Sequence, residues 1–282
     1  MLQELRWFMK VNVIDMRVLL FVNGWVGWKV TEWMRSQRED IVGVVLHPPQ
    51  QRHFGDEIIS SADVERDLLI DGSDLGNPQT INRMRLANPE IGLSVYFGYI
   101  LSDALISIFP RGCINIHPSF LPFNRGAYTN VWCIVEKTPA GVTMHHIDAG
   151  IDTGDIIAQS DVEIDATDTG LSLYRKLEIA AFDLFRETWP MIESGDYNRI
   201  PQNPDEGSSH RIRDIDVIDE IDLDRKYTAR DLINVIRART FPPYRGAYFK
   251  HDGKKIYLCL DLKHEDQFEG CVNESNDGDK GT

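Results

Sequence analysis

The sequence has no apolar run approaching the roughly 18 to 20 residues needed to cross a bilayer, which excludes a membrane-spanning helix. It also has no Cys-x-x-Cys pair, and its four cysteines (Cys113, Cys133, Cys259, Cys271) are scattered. The opening MLQELRWFMKVNVID has no secretory h-region, so those cysteines read as reduced thiols in a cytoplasmic protein. Positive charge is scarce. Over 282 residues, 30 Lys plus Arg face 44 Asp plus Glu, a formal net charge of -14. Such a surface repels phosphate backbones, which argues against general nucleic-acid binding. The turn after the first apolar run, Asn23-Gly24-Trp25-Val26-Gly27, is not Gly-x-Gly-x-x-Gly, and no Walker-type phosphate loop occurs. No His-x-x-x-His or Cys/His cluster has metal-ligand spacing, so no metal is expected.

What is present is ordinary globular composition, 42% hydrophobic and 26% charged. Met16–Val22, Ile41–Leu46, Ile91–Phe97 and Ile114–Ile116 are continuous apolar runs, as in strands covered on both faces. Helical spacing lies between them, at Val26–Met34, Ile81–Ala87 and Leu101–Phe109, whereas 50–78 is polar with weak strand character near Leu68–Ile70. This alternation predicts an α/β fold: a Rossmann-like, doubly wound, mostly parallel sheet. A long amphipathic helix is expected over Gly170–Ile192, then a linker with Pro201, Pro204 and Gly207.

The expected organisation is an N-terminal extension at 1–15, a catalytic domain at 16–200, a small α+β module at 201–263 and a disordered acidic tail at 264–282. In the module, Thr228 caps a helix ended by Phe241-Pro242-Pro243, and a β-hairpin turns at Asp252-Gly253. The hairpin leaves an open edge, so a homodimer through this module is expected.

The chemistry concentrates between Cys113 and Gln159. Asn115 and His117 lie two apart on a strand end, so they face one side, and strand ends of open α/β sheets border the ligand crevice. Pro118 holds His117 in an extended backbone. Asp152 follows on a Gly-flanked loop, Ile151-Asp152-Thr153-Gly154-Asp155. His145 and His146 alternate on a strand, so one faces the cleft and the other packs. An amide can donate about 3 to 4 kcal/mol of stabilisation to a developing oxyanion when preorganised, an imidazole with a pKa of about 6.5 can move protons, and a carboxylate can orient that ring or hold a water.

The stretch Asn115-Ile116-His117-Pro118-Ser119, with Ile151-Asp152-Thr153-Gly154 after it, resembles the signature of the 10-formyltetrahydrofolate-dependent formyltransferases. The resemblance covers roughly Met16 to Leu262. It implies Asn115, His117 and Asp152 as the catalytic set and N10-formyltetrahydrofolate as co-substrate. It further implies a pterin pocket from Phe97, Gly98, Tyr99, Ile100 and Leu101 together with the loop carrying Asp148, Gly150 and Ile151.

For the acceptor, Phe123–Trp132, His210–Asp216 and Arg237–Phe249 are similar to the nucleotide-linked amino sugar N-formyltransferases of surface polysaccharide (O-antigen) synthesis. The 11 Lys plus Arg against 8 Asp plus Glu between Arg211 and Lys255 make the module locally basic, which suits a diphosphate. Trp25, Asn124, Arg125, Tyr128, Arg237, Arg239 and Tyr244 are the candidate acceptor contacts. The rival readings are methionyl-tRNA formyltransferase, formyltetrahydrofolate hydrolase and a non-catalytic ligand-binding module. The sixty or so residues after the linker fall short of the barrel expected for the first, and the N-terminal extension is too short for the regulatory domain of the second.

Overall fold

Strands that are apolar at every position need cover on both faces, and these runs form the middle of one sheet. The computed structural model describes residues 16–267. Within it β1 (Arg17–Val22), β2 (Asp40–Leu46), β3 (Leu69–Asp71), β4 (Ile91–Val95) and β5 (Cys113–His117) run parallel. After a short separate strand, β6 (Arg125–Gly126), β7 (Gly141–His146) and β8 (Ile156–Asp161) complete a seven-stranded sheet by antiparallel pairing. The spatial order is β3-β2-β1-β4-β5-β7-β8, so the sheet is doubly wound and mostly parallel, as the sequence pattern predicts.

Alternation along β1 divides the core. Val18, Leu20 and Val22 face α1 (Gly24–Ser36), whereas Leu19 and Phe21 belong to a second cluster with Phe97, Leu105 and Phe109. These five β1 side chains are fully buried, each worth about 1.5 to 3 kcal/mol of transfer free energy. The polar stretch 50–78 holds α2 (Gly55–Ala62) as well as β3. Ile58 and Ala62, one turn apart, are its buried face, too short a stripe to stand out among polar neighbours. Beyond α3 (Pro78–Leu86), the helix predicted over Leu101–Phe109 contracts to α4 (Asp103–Ile106). Leu101 and Phe109 are still buried, but as flanks of a single turn.

Helix α5 (Thr129–Glu136) follows the loop after β5, and α6 (Gly170–Ser194) covers the sheet. Thr169 and Ser172 form a capping box at the start of α6. Leu173, Leu177, Ala181, Leu184, Phe185 and Trp189 supply its buried stripe, and Gly195 ends it in a left-handed conformation. The C-terminal module begins with β9 (Ser209–His210), which pairs with β6. It continues through α7 (Asp216–Asp219), α8 (Ala229–Ala238) and the hairpin β10 (Tyr248–His251) to β11 (Lys254–Tyr257). Thr228 Oγ1 accepts the Asp231 N–H at 3.1 Å to cap α8. Asp252 and Gly253 turn the hairpin with φ of 48° and 75°, the positive pair that a two-residue turn matched to strand twist requires.

The extension expected at 1–15 and the part of the expected 264–282 tail beyond Gln267 lie outside the described residues. At the start of the expected tail, His264 Nε2 lies 2.9 Å from Asp165 Oδ1. Among the described residues no helix is long and apolar enough to cross a membrane. Of the described cysteines, Cys113 and Cys133 are buried; burial raises the first thiol and pushes the second up to about 12.

Candidate active site

Strand β5 delivers Asn115 and His117 to the carboxyl edge of the sheet, and β7 runs back beside it. Their register sets Asn115 opposite His145 and His117 opposite Thr143. Asp152 approaches from the loop before β8, and its carboxylate is the hub. Asn115 Nδ2 lies 3.4 Å from Oδ1. His117 Nδ1 is 3.5 Å from Oδ2, and His145 Nε2 is 3.5 Å from Oδ1. The Gly126 N–H donates to Oδ2 at 2.9 Å. Asn115, His117 and Asp152 thus converge, although 35 residues separate the last two along the chain.

Two local features fix this hub. Asp152 sits at φ 54°, a left-handed conformation that costs an L-residue on the order of 1 kcal/mol or more and is common at functional sites. Gly126 has φ 90°, and a side chain there would strike the His210 carbonyl of β9, so only glycine lets β6 present its N–H to the carboxylate. Gln202 Nε2 closes the loop by donating to the carbonyls of Asp152 and Gly154 at 2.9 and 2.8 Å.

Burial alone would raise the Asp152 carboxyl, but the His117 and His145 imidazoles beside it and the Gly126 N–H outweigh it and hold the group well below the usual carboxylate range. Burial pushes the His117 imidazole below its ordinary value, against the opposing pull of Asp152. At neutral pH His117 is therefore an uncharged base next to a fixed negative charge. Its Nε2 faces the Asn124 carbonyl at 3.2 Å, so both ring nitrogens meet acceptors and a second proton would be held from both sides.

His145 is the member that sequence reasoning left undecided. Its Nδ1 lies 2.8 Å from the His146 carbonyl, which can only accept, so Nδ1 carries the proton. Nε2 is then free to accept from Asn115 Nδ2 at 3.2 Å. His145 thereby fixes the orientation of the Asn115 amide. The Asn115 contacts at 3.2 and 3.4 Å are long, so one N–H can turn to a developing oxyanion. His145→Ala is expected to lower kcat roughly tenfold to a hundredfold, as loss of an orienting partner does, with KM for the folate little changed. Steady-state kinetics check this; a KM effect without a kcat effect would contradict it.

The other candidates are distributed unevenly. Phe97 is buried and tilts against Phe21, while the Gly98 N–H donates to His47 Nε2 at 3.2 Å. Ile100 is 81% exposed, Tyr99 half-buried and Leu101 buried. Asp148 Oδ1 folds the second loop by accepting from Gly150 N at 3.0 Å and Thr153 Oγ1 at 2.7 Å, leaving Ile151 exposed. Ile147 joins the two loops, packing in the same cluster as Phe97 and Leu101.

On the acceptor side, Asn124 is buried, its Nδ2 donating to Thr138 Oγ1 at 2.8 Å. Arg125 is held by Gln202 Oε1 at 2.9 and 3.1 Å. Arg237 is buried, donating to the carbonyls of Asp165 and Asp168 at 3.0 and 2.8 Å, so its guanidinium ties α8 to the domain and faces no cleft. Arg239 pairs with Asp219, 3.0 Å at Nη2 to Oδ2. Trp25 packs edge-on against Phe182, and Tyr244, exposed, leans on Phe241. Tyr128 is 40% exposed at the rim. Among the described residues no group of His, Cys, Asp or Glu is arranged to hold a metal ion.

Residues 18–188 match the family described as formyl transferase, and 214–264 match the N-formyltransferase dimerization C-terminal domain. The methionyl-tRNA formyltransferase of Geobacter metallireducens is 29% identical over 226 residues, 78% of this chain and 71% of that protein. A 4-N formyltransferase from Francisella tularensis superposes with a TM-score of 0.77 at 28% identity, covering 89% of this chain and 99% of that one. The formyltransferase PseJ from Anoxybacillus kamchatkensis, solved with UDP-4,6-dideoxy-4-formamido-L-AltNAc and tetrahydrofolate, gives a TM-score of 0.52 at 29% identity, covering 71% and 88%. A family match that runs from the first strand of the sheet well into its long covering helix, more than half of the chain, leaves one conclusion, that this chain belongs to the formyl transferase family.

Proposed function

We infer that the protein transfers the formyl group of N10-formyltetrahydrofolate to the amine of a nucleotide-diphospho-linked amino sugar. The observation that carries the acceptor class is the likeness, at 28% identity and over 99% of its length, to a 4-N formyltransferase, C-terminal module included. The PseJ complex with a nucleotide-linked formamido sugar and tetrahydrofolate supports it. The net charge of -14 opposes gripping a tRNA. The curated relatives named methionyl-tRNA formyltransferase favour the second reading, with an aminoacyl-tRNA as acceptor.

The two loops at 97–101 and 148–152 offer exposed backbone on an apolar floor, which fits the flat edge of a pterin. The acceptor amine attacks the formyl carbon, and the carbonyl oxygen becomes an oxyanion that takes an N–H from Asn115. His117 accepts the proton lost by the amine and returns one to N10 as the C–N bond breaks, leaving the formamide and tetrahydrofolate. Asp152 holds His117 in place and stabilises its charged form. The match to a dimerization domain at 214–264 supports a homodimer through the module. A cytoplasmic place in surface polysaccharide synthesis fits both substrates.

The test is incubation of the protein with formyltetrahydrofolate and dTDP- or UDP-linked 3-amino and 4-amino sugars, read by mass spectrometry. The expected result is gain of one formyl group by a nucleotide-sugar. Formylation of charged tRNA alone would replace the acceptor, and formate release without any acceptor would replace the reaction.

A further inference from the structure

Arg211 and Arg213 were not among the individual acceptor contacts expected from the sequence, yet they line a cleft of about 620 Å³ with Tyr128, Ile212, Ile215 and Asp216. Its place follows from strand pairing. The Gly126 N–H that holds Asp152 lies opposite His210 in the β6–β9 pair, and Arg211 is the first residue after β9. The cleft therefore opens beside the strand pair whose Gly126 N–H holds the Asp152 carboxylate.

The two guanidiniums are exposed, and among the described residues neither is engaged in an ion pair. The neighbouring arginines differ: Arg239 is paired with Asp219, Arg237 with backbone carbonyls, and Arg125 with Gln202. Tyr128 starts α5 at φ 56°, and the Arg239 guanidinium lies 6.0 Å from its ring centroid, which fixes the ring at the cleft wall. Ile212 stands 71% exposed between the two arginines, an apolar surface that solvent would not favour. Asp216 is the one acid in the lining, so the cleft retains net positive charge within a chain of -14.

We propose that Arg211 and Arg213 bind the diphosphate of the acceptor, with Tyr128 and Ile212 beneath the adjoining sugar or base. Two guanidiniums two residues apart, neither ion-paired among the described residues, give the forked, charge-assisted donors that a diphosphate accepts. This rests on the nucleotide-sugar reading of the active site, because an acceptor without a diphosphate would leave the pair without a ligand.

The test uses the full chain with Arg211→Ala, Arg213→Ala, the double variant and the double Lys variant. Binding of dTDP and UDP is measured by titration calorimetry, and turnover is measured with the amino sugar the wild type accepts. Each Ala variant should weaken nucleoside diphosphate binding and raise acceptor KM about tenfold or more, as loss of a charge-assisted hydrogen bond does. The Lys variant should recover part of that, while kcat and the folate KM stay within about twofold. Wild-type turnover of a nucleotide-sugar with unchanged dTDP and UDP binding in the variants would overturn the cleft assignment and leave the acceptor reading intact. No wild-type binding of either diphosphate, with formylation of charged tRNA instead, would overturn both.

Discussion

His117→Asn lowers kcat for formyl transfer by about two to four orders of magnitude, the range that general acid-base catalysis supplies. Asparagine is smaller than histidine, but its amide nitrogen falls near the position of Nδ1 and can still donate to the Asp152 carboxylate, so the fold and the donor loops are expected to survive. What it lacks is a nitrogen able to carry a proton from the attacking amine to the leaving N10. The pH profile adds a second readout. His117 titrates below the ordinary histidine value because burial disfavours its charged form, and only the neutral ring accepts a proton. Wild-type kcat/KM should therefore hold its plateau to a lower pH than an ordinary histidine would allow before it falls, and the residual rate of the variant should lack that acid limb. A near-normal rate, or an unchanged limb, would assign proton transfer to another group.

The parts of this picture that are legible in sequence are those whose cause is local. Val18 to Val22 are apolar at every position, and only a strand covered on both faces needs that, so the parallel core could be read directly. Asn115 and His117 share a face because side chains alternate along a strand, and Pro118 marks the strand end that opens on the crevice. Asp152 was reached through the family signature, since nothing local ties a loop carboxylate to a strand 35 residues earlier.

What stayed hidden depends on pairing between distant segments. Which of His145 and His146 faces the cleft follows from the antiparallel register that sets His145 opposite Asn115, and a turn one residue longer would exchange them. Arg237 and Arg211 look alike as exposed, basic and near the module. One is buried against the carbonyls of Asp165 and Asp168, and the other lines a cleft, because β9 happens to pair with β6. Short elements fail for a related reason: α2 buries Ile58 and Ala62 within a single turn, a pattern any polar loop can produce by chance.

Asp152→Asn is the companion experiment, with an expected loss of roughly two to four orders of magnitude in kcat, in the range for removing the charge behind a catalytic imidazole. The shape of the side chain is conserved, so the loss must come from charge and donor-acceptor matching. In the wild type the two carboxylate oxygens face donors or imidazole nitrogens on every side: the Gly126 N–H and His117 at one, Asn115 Nδ2 and His145 Nε2 at the other. An amide offers one oxygen. Whichever way it turns, its NH2 must face either the Gly126 N–H or the Asn115 NH2, and two donors then oppose each other in a buried place. If the oxygen keeps the Gly126 contact, the amide disturbs Asn115, and the oxyanion donor is misaligned in addition to the loss of charge beside His117. That charge raises the proton affinity of His117 against the effect of burial, so removing it moves the imidazole further down. The pH at which the residual rate begins to fall should consequently be lower than in the wild type, a shift that general unfolding would not produce. Glutamate in place of Asp152 keeps the charge but is one methylene too long for a carboxylate fixed by the Gly126 N–H at 2.9 Å, and it should restore the position of the acid limb without restoring the rate. If Asp152→Asn leaves both the rate and the limb unchanged, the carboxylate serves only to fold the loop, and the charge that stabilises the imidazolium must lie elsewhere.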